Sequence, residues 1–292
     1  MLWLSTLPIS AAEPAALHCS GQARQSGLIL CQTLPHAIIT ISGRNGADRR
    51  EIVSNAKGIA TIGLKRAEQA EIQLSLAGHD ASPHILSIAP RSDPFRIIEG
   101  LDCDKVDART PAQKAHAGRS WVKKQAAFKT FSPGIGATQG FIAPATGRMS
   151  SPFGPARKYV GIGKDGTPCE RTSIHRGYDV AIPVGTDIIA PADGVVTLGD
   201  PDLYYEGGTV FLDHGDGLVS VFMHLSAVDV QAGQAVRRGE RLGASGNTGR
   251  TTGPHLHWAV KWRNPNAEDR GRDFYIDPAL LLALTPLVPD QP

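Results

Sequence analysis

No run among the 292 residues approaches the ~18 consecutive apolar residues that a membrane-spanning helix requires. Stable helical insertion into a bilayer is therefore not expected. An excess of charge of either sign is also missing: 30 Lys and Arg stand against 28 Asp and Glu, a formal net charge of +2. No global field argues for a nucleic-acid partner, and any basic preference must be local. Cysteines number only four, and Cys19, Cys31, Cys103 and Cys169 follow none of the close paired spacings of thiolate zinc sites. What the chain does hold is apolar material, 41% of residues, enough for one large or two modest domains with true cores.

The opening Met1 to Ala12 is apolar and uncharged and ends in the small residues Ser10-Ala11-Ala12. This resembles the close of a secretory leader whose basic start is missing; a short buried strand is the other reading. His18, directly before Cys19, fits poorly with lipid attachment. In an exported chain an even cysteine count suggests disulfides. Cys19 and Cys31 flank one hairpin-sized stretch, which leaves Cys103 and Cys169 either as a bridge between regions or as free thiols.

The fold class expected is mainly β. Short apolar runs between glycine and polar turns, such as Leu28-Ile29-Leu30, Ile38 to Ile41 and Ile72-x-Leu74-x-Leu76, predict a small all-β, sandwich-like domain over 19–103 behind a leader at 1–18. Over 104–137 the character changes to a helical linker, with Thr110 as N-cap and Pro111 at the first helical position. Its Lys114, Arg119, Lys123, Lys124 and Lys129 read as a solvated face rather than a seat for an anionic polymer. Over 138–284 β-branched runs alternate with glycine and proline, which predicts an antiparallel, barrel-like sheet followed by a tail at 285–292. Asp213-His-Gly-Asp-Gly217 marks a hairpin in it, with His214 as a solvent-exposed turn residue.

The chemistry lies in His175-x-x-x-Asp179, His224 and His255-x-His257. Nitrogen and carboxylate ligands numbering three leave a fourth tetrahedral position for water, as in catalytic rather than structural zinc. After His255, the residues Leu256, Trp258, Val260 and Trp262 alternate with His257, Ala259 and Lys261, so a strand buries the apolar set and leaves both histidines on the other face. Their Cα atoms would then lie roughly 7 Å apart, close enough for one imidazole to bind metal while the other reaches the water beside it. His175 and Asp179, about 13 Å apart if fully extended, need a bend, and Gly177 supplies the freedom for a turn leading into a Val180-Ala-Ile182 strand. Each histidine alone is usually structural; the joint occurrence is what points to hydrolysis.

The segments His175-Arg-Gly-Tyr-Asp179, Met223-His-Leu-Ser226, Gly246-Asn-Thr-Gly-Arg250 and Gly253-Pro-His-Leu-His-Trp258 resemble the lysostaphin-like, LytM-type zinc endopeptidases. The resemblance covers roughly Phe141 to Leu284, including Ser150-Ser-Pro-Phe-Gly154 and Ala190-Pro-Ala-Asp-Gly-Val195. It implies one zinc on His175, Asp179 and His257, with His224 and His255 near the water and the scissile carbonyl. It further implies cleavage of stem or cross-linking peptides of bacterial peptidoglycan by a metal-activated water, with histidine taking the proton. The glycine- and charge-rich stretch Tyr159 to Ser173 looks like an insertion that alters the substrate groove without touching the metal set.

Two other classes fit parts of the chain. A non-catalytic wall-binding or hydrolase-activating module of the same fold would have lost metal ligands, whereas every expected ligand is here. A lipoyl- or biotinyl-like carrier barrel would explain Ala232 to Gly243, but the nearby tip Leu212 to Gly217 has no lysine to carry a prosthetic group.

Overall fold

The computed structural model describes residues 17–78, 82–103, 108, 110–163, 165–266 and 273–285. The leader expected over 1–18 and the tail over 285–292 fall almost wholly outside them.

In the N-terminal part the strands are β1 (His18–Gly21), β2 (Leu28–Gln32), β3 (Ile38–Gly43), β4 (Arg50–Val53), β5 (Ile59–Gly63), β6 (Glu71–Leu76) and β7 (His84–Ser87). They form two antiparallel sheets, ordered β1-β2-β5 and β4-β3-β6-β7. Strand period explains the layering: Ile39 and Ile41 on β3, and Ile72 and Leu74 on β6, turn inward and are buried, while their neighbours are at least partly wet. Cys19 and Cys31 lie opposite each other across β1 and β2 and form a disulfide.

Next come β8 (Phe95–Asp102) and helix α1 (Pro111–Lys129). The helix starts where the local chemistry demands it. Thr110 accepts from the Gln113 backbone N–H while the Gln113 side chain accepts from the Thr110 N–H, and Pro111 sits at the first position. On its exposed side Lys123 pairs with Asp200 and Lys124 with Glu206, each at 2.5 Å, so these two cations are engaged within the chain.

The C-terminal part comprises β9 (Arg148–Ser151), β10 (Ala156–Ile162), β11 (Pro168–Ile174), β12 (Tyr178–Ala181), β13 (Asp187–Ile189), β14 (Gly194–Leu203), β15 (Gly207–Gly215), β16 (Leu218–Leu225), β17 (Ala227–Val228), β18 (Ala235–Val236), β19 (Arg241–Ala244), β20 (Leu256–Trp262) and β21 (Phe274–Ile276), then the short helix α2 (Pro278–Leu281). One antiparallel sheet runs β18-β14-β15-β16-β20-β12-β9, with β21 on β20. It is open, so "barrel-like" describes it only loosely. The β15–β16 turn places Asp216 and Gly217 at φ 47° and 81°, the positive pair that suits a tight hairpin with right-handed twist.

Both faces of this sheet are covered, where the sequence suggested one. The expected apolar set Leu256, Trp258, Val260 and Trp262 is buried in the main core together with residues of the N-terminal sheets. The opposite face, Phe211, Val219, Val221 and Ala259, packs under Ala127 and Phe128 of α1. Trp262 fixes the junction with the N-terminal part. Its Nε1 donates to Thr61 O at 2.9 Å, and a Cβ on Gly63 would come within 2.6 Å of its ring. Arg91 adds an ion pair with Asp277 at 2.9 Å and donates to Phe153 O at 2.9 Å.

A fourth sheet, β11-β10-β8, was not anticipated. β10 and β11 form an antiparallel hairpin from the stretch that read as an insertion, and β8 joins β10 in parallel across more than fifty intervening residues. Cys103, just after β8, is bonded to Cys169 on β11, which decides between the two alternatives for that pair.

Candidate metal centre

Register assembles the site. Asp179 on β12 faces His257 on β20, and on its other side faces Ser151 on β9; His257 in turn faces Met223 on β16, the residue before His224. Directly paired residues on one face hold their Cβ atoms about 4.5–5.5 Å apart, so two of the expected ligands are neighbours by strand pairing alone. His175 arrives from elsewhere, immediately after β11, with its N–H donating to Pro155 O and its own carbonyl accepting from Gly154 N–H.

The donor atoms converge. His175 Nε2 lies 3.0 Å from Asp179 Oδ1 and 3.2 Å from His257 Nδ1, and His257 Nδ1 lies 2.7 Å from Asp179 Oδ1. Zinc bonds of about 2.0–2.1 Å in a tetrahedron put donors about 3.3 Å apart, so this triangle needs only slight widening to accept such an ion. His175, Asp179 and His257 are also the sole group of this kind among the described residues. The tautomer of His175 suits metal binding, because Nδ1–H donates to Pro152 O at 2.7 Å and leaves the Nε2 lone pair directed at the triangle. Burial opposes charge on Asp179, but hydrogen bonds from His175 and His257 outweigh it and hold the carboxyl well below its ordinary range. Burial, opposed by the Asp179 hydrogen bond, lowers His257. An anionic carboxylate beside neutral imidazoles is the state that binds a divalent cation.

The two further histidines flank this triangle. The His224 ring lies 4.8 Å from that of His255 and 6.1 Å from that of His257, centroid to centroid, and His255 Nε2 is 3.9 Å from Asp179 Oδ1. Each is oriented through Nδ1, which donates to Thr248 O at 2.9 Å in His224 and to Gly253 O at 2.8 Å in His255. His224 has φ 66°, a conformation uncommon outside glycine that the surrounding structure must impose. Burial, reinforced by His257 and His255, pushes its pKa down to about 3. It is therefore a neutral imidazole near pH 7, with the Nε2 lone pair unprotonated. All five residues singled out in the sequence thus meet in one cleft.

The stretch from Tyr159 to Ser173 carries most of the β10–β11 hairpin; its strand β11 runs straight into His175, and the Tyr159 hydroxyl accepts from Arg157 Nη1 at 3.5 Å. Two expectations need correction. Gly177 does not sit at positive φ among the described residues; its lack of a side chain is required because a Cβ would lie 2.4 Å from His257 Nε2 and 2.8 Å from Trp258 O. His214 is not exposed. It is 1% accessible, donates through Nδ1 to Asp193 O at 2.8 Å and accepts through Nε2 from Ser220 Oγ at 2.8 Å.

Burial pushes the His214 pKa from the ordinary value of about 6.5 down to about 4. The unfolded chain then binds a proton that the folded chain refuses, so stability is full above pH ~6.5 and is lost as pH falls toward ~4. Comparing melting temperatures of the parent and His214→Gln from pH 7 to 4 should show the steeper loss in the parent; parallel curves contradict this. The variant retains activity per folded molecule, since its ring lies outside the cleft.

Sequence reasoning missed Arg157, Ser151 and the carbonyls of Pro152 and Thr248. Ser151 and Pro152 stand inside Ser150-Ser-Pro-Phe-Gly154 and Thr248 inside Gly246-Asn-Thr-Gly-Arg250, both segments of the resemblance, whereas Arg157 stands in neither.

Comparison with known proteins agrees with this geometry. Residues 173–269 match the family model described as Peptidase family M23. An uncharacterized metalloprotease of Haemophilus influenzae is 46% identical over 114 residues, 38% of this chain and 22% of that protein. The peptidoglycan DD-endopeptidase ShyA of Vibrio cholerae is 42% identical over 124 residues, 41% of this chain and 26% of that protein. The chain therefore aligns with well under two thirds of the length of these relatives. A crystal structure described as a putative peptidase M23 from Pseudomonas aeruginosa matches nearly throughout, with a TM-score of 0.57 and 26% identity over 91% of this chain and 96% of that one. Over residues 173–269, which carry all five residues of the site, the chain is thus similar to Peptidase family M23.

Proposed function

We propose that the protein is a zinc endopeptidase that hydrolyses stem or cross-linking peptides of peptidoglycan outside the cytoplasm. The observation that carries this reading is the triangle of His175 Nε2, Asp179 Oδ1 and His257 Nδ1, with no side longer than 3.2 Å, flanked by two imidazoles whose Nε2 atoms remain available. His175, Asp179 and His257 hold one zinc ion. When bound, the ion supplies a Lewis acid for the scissile carbonyl and acidifies a water at neutral pH.

The remaining steps belong to the chain. His224 and His255, fixed through Nδ1, present their Nε2 atoms to the site, where an imidazole takes the proton of the attacking water and passes it to the leaving amine. The imidazolium so formed stabilises the oxyanion of the tetrahedral intermediate. The substrate class is supported by the name of the Vibrio cholerae relative, and export is supported by two disulfides, which persist in oxidising compartments.

Purified wall fragments incubated with the protein, with and without a chelator, test the reading. A new amine terminus that appears only without chelator is expected, and its sequence context identifies the bond. Absence of any chelator-sensitive cut across wall types would instead favour a binding module of the same fold.

A further inference from the structure

Asp179 turns its two oxygens in different directions. Oδ1 faces His175 Nε2 and His257 Nδ1, while Oδ2 lies 3.6 Å from Arg157 Nη2. The same Nη2 donates to Ser151 Oγ, which is 3.4 Å from His175 Nδ1. Ser151 is also the strand partner of Asp179. Arg157 and Ser151 therefore touch two of the three converging side chains from behind, without entering the triangle.

The placement of Arg157 is firmly determined. Its side chain is 14% exposed, and it stands on the central strand of the β11-β10-β8 sheet, paired with Ser173 on one side and with Arg96 on the other. The Cys103–Cys169 bond fastens the two outer strands of that sheet. Since β11 leads directly into His175, one hairpin delivers both a ligand and the cation behind a second ligand. Arg157 and Ser151 precede the residues 173–269 that match the family model.

We propose that Arg157 is a positioning residue that keeps Asp179 a single-oxygen ligand. This rests on the metal site proposed above. A carboxylate free to rotate can bring both oxygens to a cation and occupy the position a water requires. The guanidinium prevents this by engaging Oδ2 through the same Nη2 that Ser151 holds, and its rigid planar fork fixes that nitrogen as a flexible lysine ammonium cannot. Partners behind metal ligands typically account for about 10- to 100-fold in metal affinity.

Chelator competition with zinc alone, and the visible spectrum of the cobalt(II)-loaded protein, test this in the parent, Arg157→Gln and Arg157→Lys. The expected result is zinc binding about 10- to 100-fold weaker in Arg157→Gln, with weaker cobalt absorption as the coordination number rises. Arg157→Lys should fall between the two, because it restores charge beside Oδ2 without the fork. Parent-like affinity and spectrum in both variants overturn the proposal; if Arg157→Gln does not fold, parent-like values in Arg157→Lys alone do so. A parent that takes up no zinc overturns the metal site itself, which is separable from any difference among variants.

Discussion

Alanine at His257 is expected to remove the metal and the activity together, whereas alanine at His255 should leave zinc bound and remove turnover. His257 contributes Nδ1 to the donor triangle, 2.7 Å from Asp179 Oδ1 and 3.2 Å from His175 Nε2, and truncation leaves only two donors at the edge of an open cleft. His255 stands one step back, with Nε2 3.9 Å from Asp179 Oδ1 and Nδ1 held by Gly253 O. In the proposed mechanism its contribution is proton transfer, which in general acid–base catalysis amounts to about 10²- to 10⁴-fold in rate. Metal analysis of both purified variants, paired with turnover of a wall-derived peptide, reads the two effects separately. Zinc loss in His255→Ala would refute the division of roles.

The second large effect comes from a residue with no chemistry of its own. In Gly177→Ala the added methyl meets His257 Nε2 at 2.4 Å, Cε1 at 2.5 Å and the Trp258 carbonyl oxygen at 2.8 Å. The carbonyl belongs to β20, paired on both sides, and cannot retreat cheaply. The imidazole must therefore swing and carry Nδ1 out of the triangle. Zinc affinity should fall by at least the ~10- to 100-fold seen when a ligand's supporting partners are removed. Overpacking costs a further ~1–3 kcal/mol of stability. Gly118→Ala is the matched control: it lies within α1 and meets nothing within 4 Å. Alanine there should leave zinc binding intact and stabilise the helix by roughly 0.5–1 kcal/mol. Titration with zinc and a thermal melt of both variants check the contrast, and unchanged zinc affinity in Gly177→Ala would contradict it.

Features legible in the sequence share one property: their cause is local. Thr110, Pro111 and Gln113 specify a helix start within four residues. Asp216-Gly217 specifies a hairpin through backbone angles that few other pairs adopt readily. The alternation through Leu256, Trp258, Val260 and Trp262 specifies which side of β20 enters the core, and so where His257 points. The donor set was legible for another reason. Histidine and aspartate in three short segments, 175–179, 223–226 and 253–258, carry a family resemblance that no single spacing conveys.

What escaped the sequence depends on distant parts of the chain. Parallel pairing of β8 with β10 joins segments separated by a helix and β9, and no period within either strand announces it. Ala259 was placed on the face opposite the apolar set, and nothing nearby reveals that α1 lies across it. His214 follows a hairpin signal and so read as exposed, yet β15 is buried along its whole length. Arg157 is one arginine among many until Asp179 Oδ2 is found 3.6 Å away. Gly177 read as a source of conformational freedom, whereas the constraint at this position is the His257 ring pressed against its Cα.

The central claim is that His175, Asp179 and His257 jointly hold one divalent cation with a coordination position left to solvent or substrate. An anomalous difference map recorded at the zinc edge from crystals of the metal-loaded protein tests it most directly. The account predicts a single peak bonded to His175 Nε2, Asp179 Oδ1 and His257 Nδ1, its remaining position taken by a non-protein atom. A peak elsewhere, or a fourth side chain closing the coordination sphere, would contradict it.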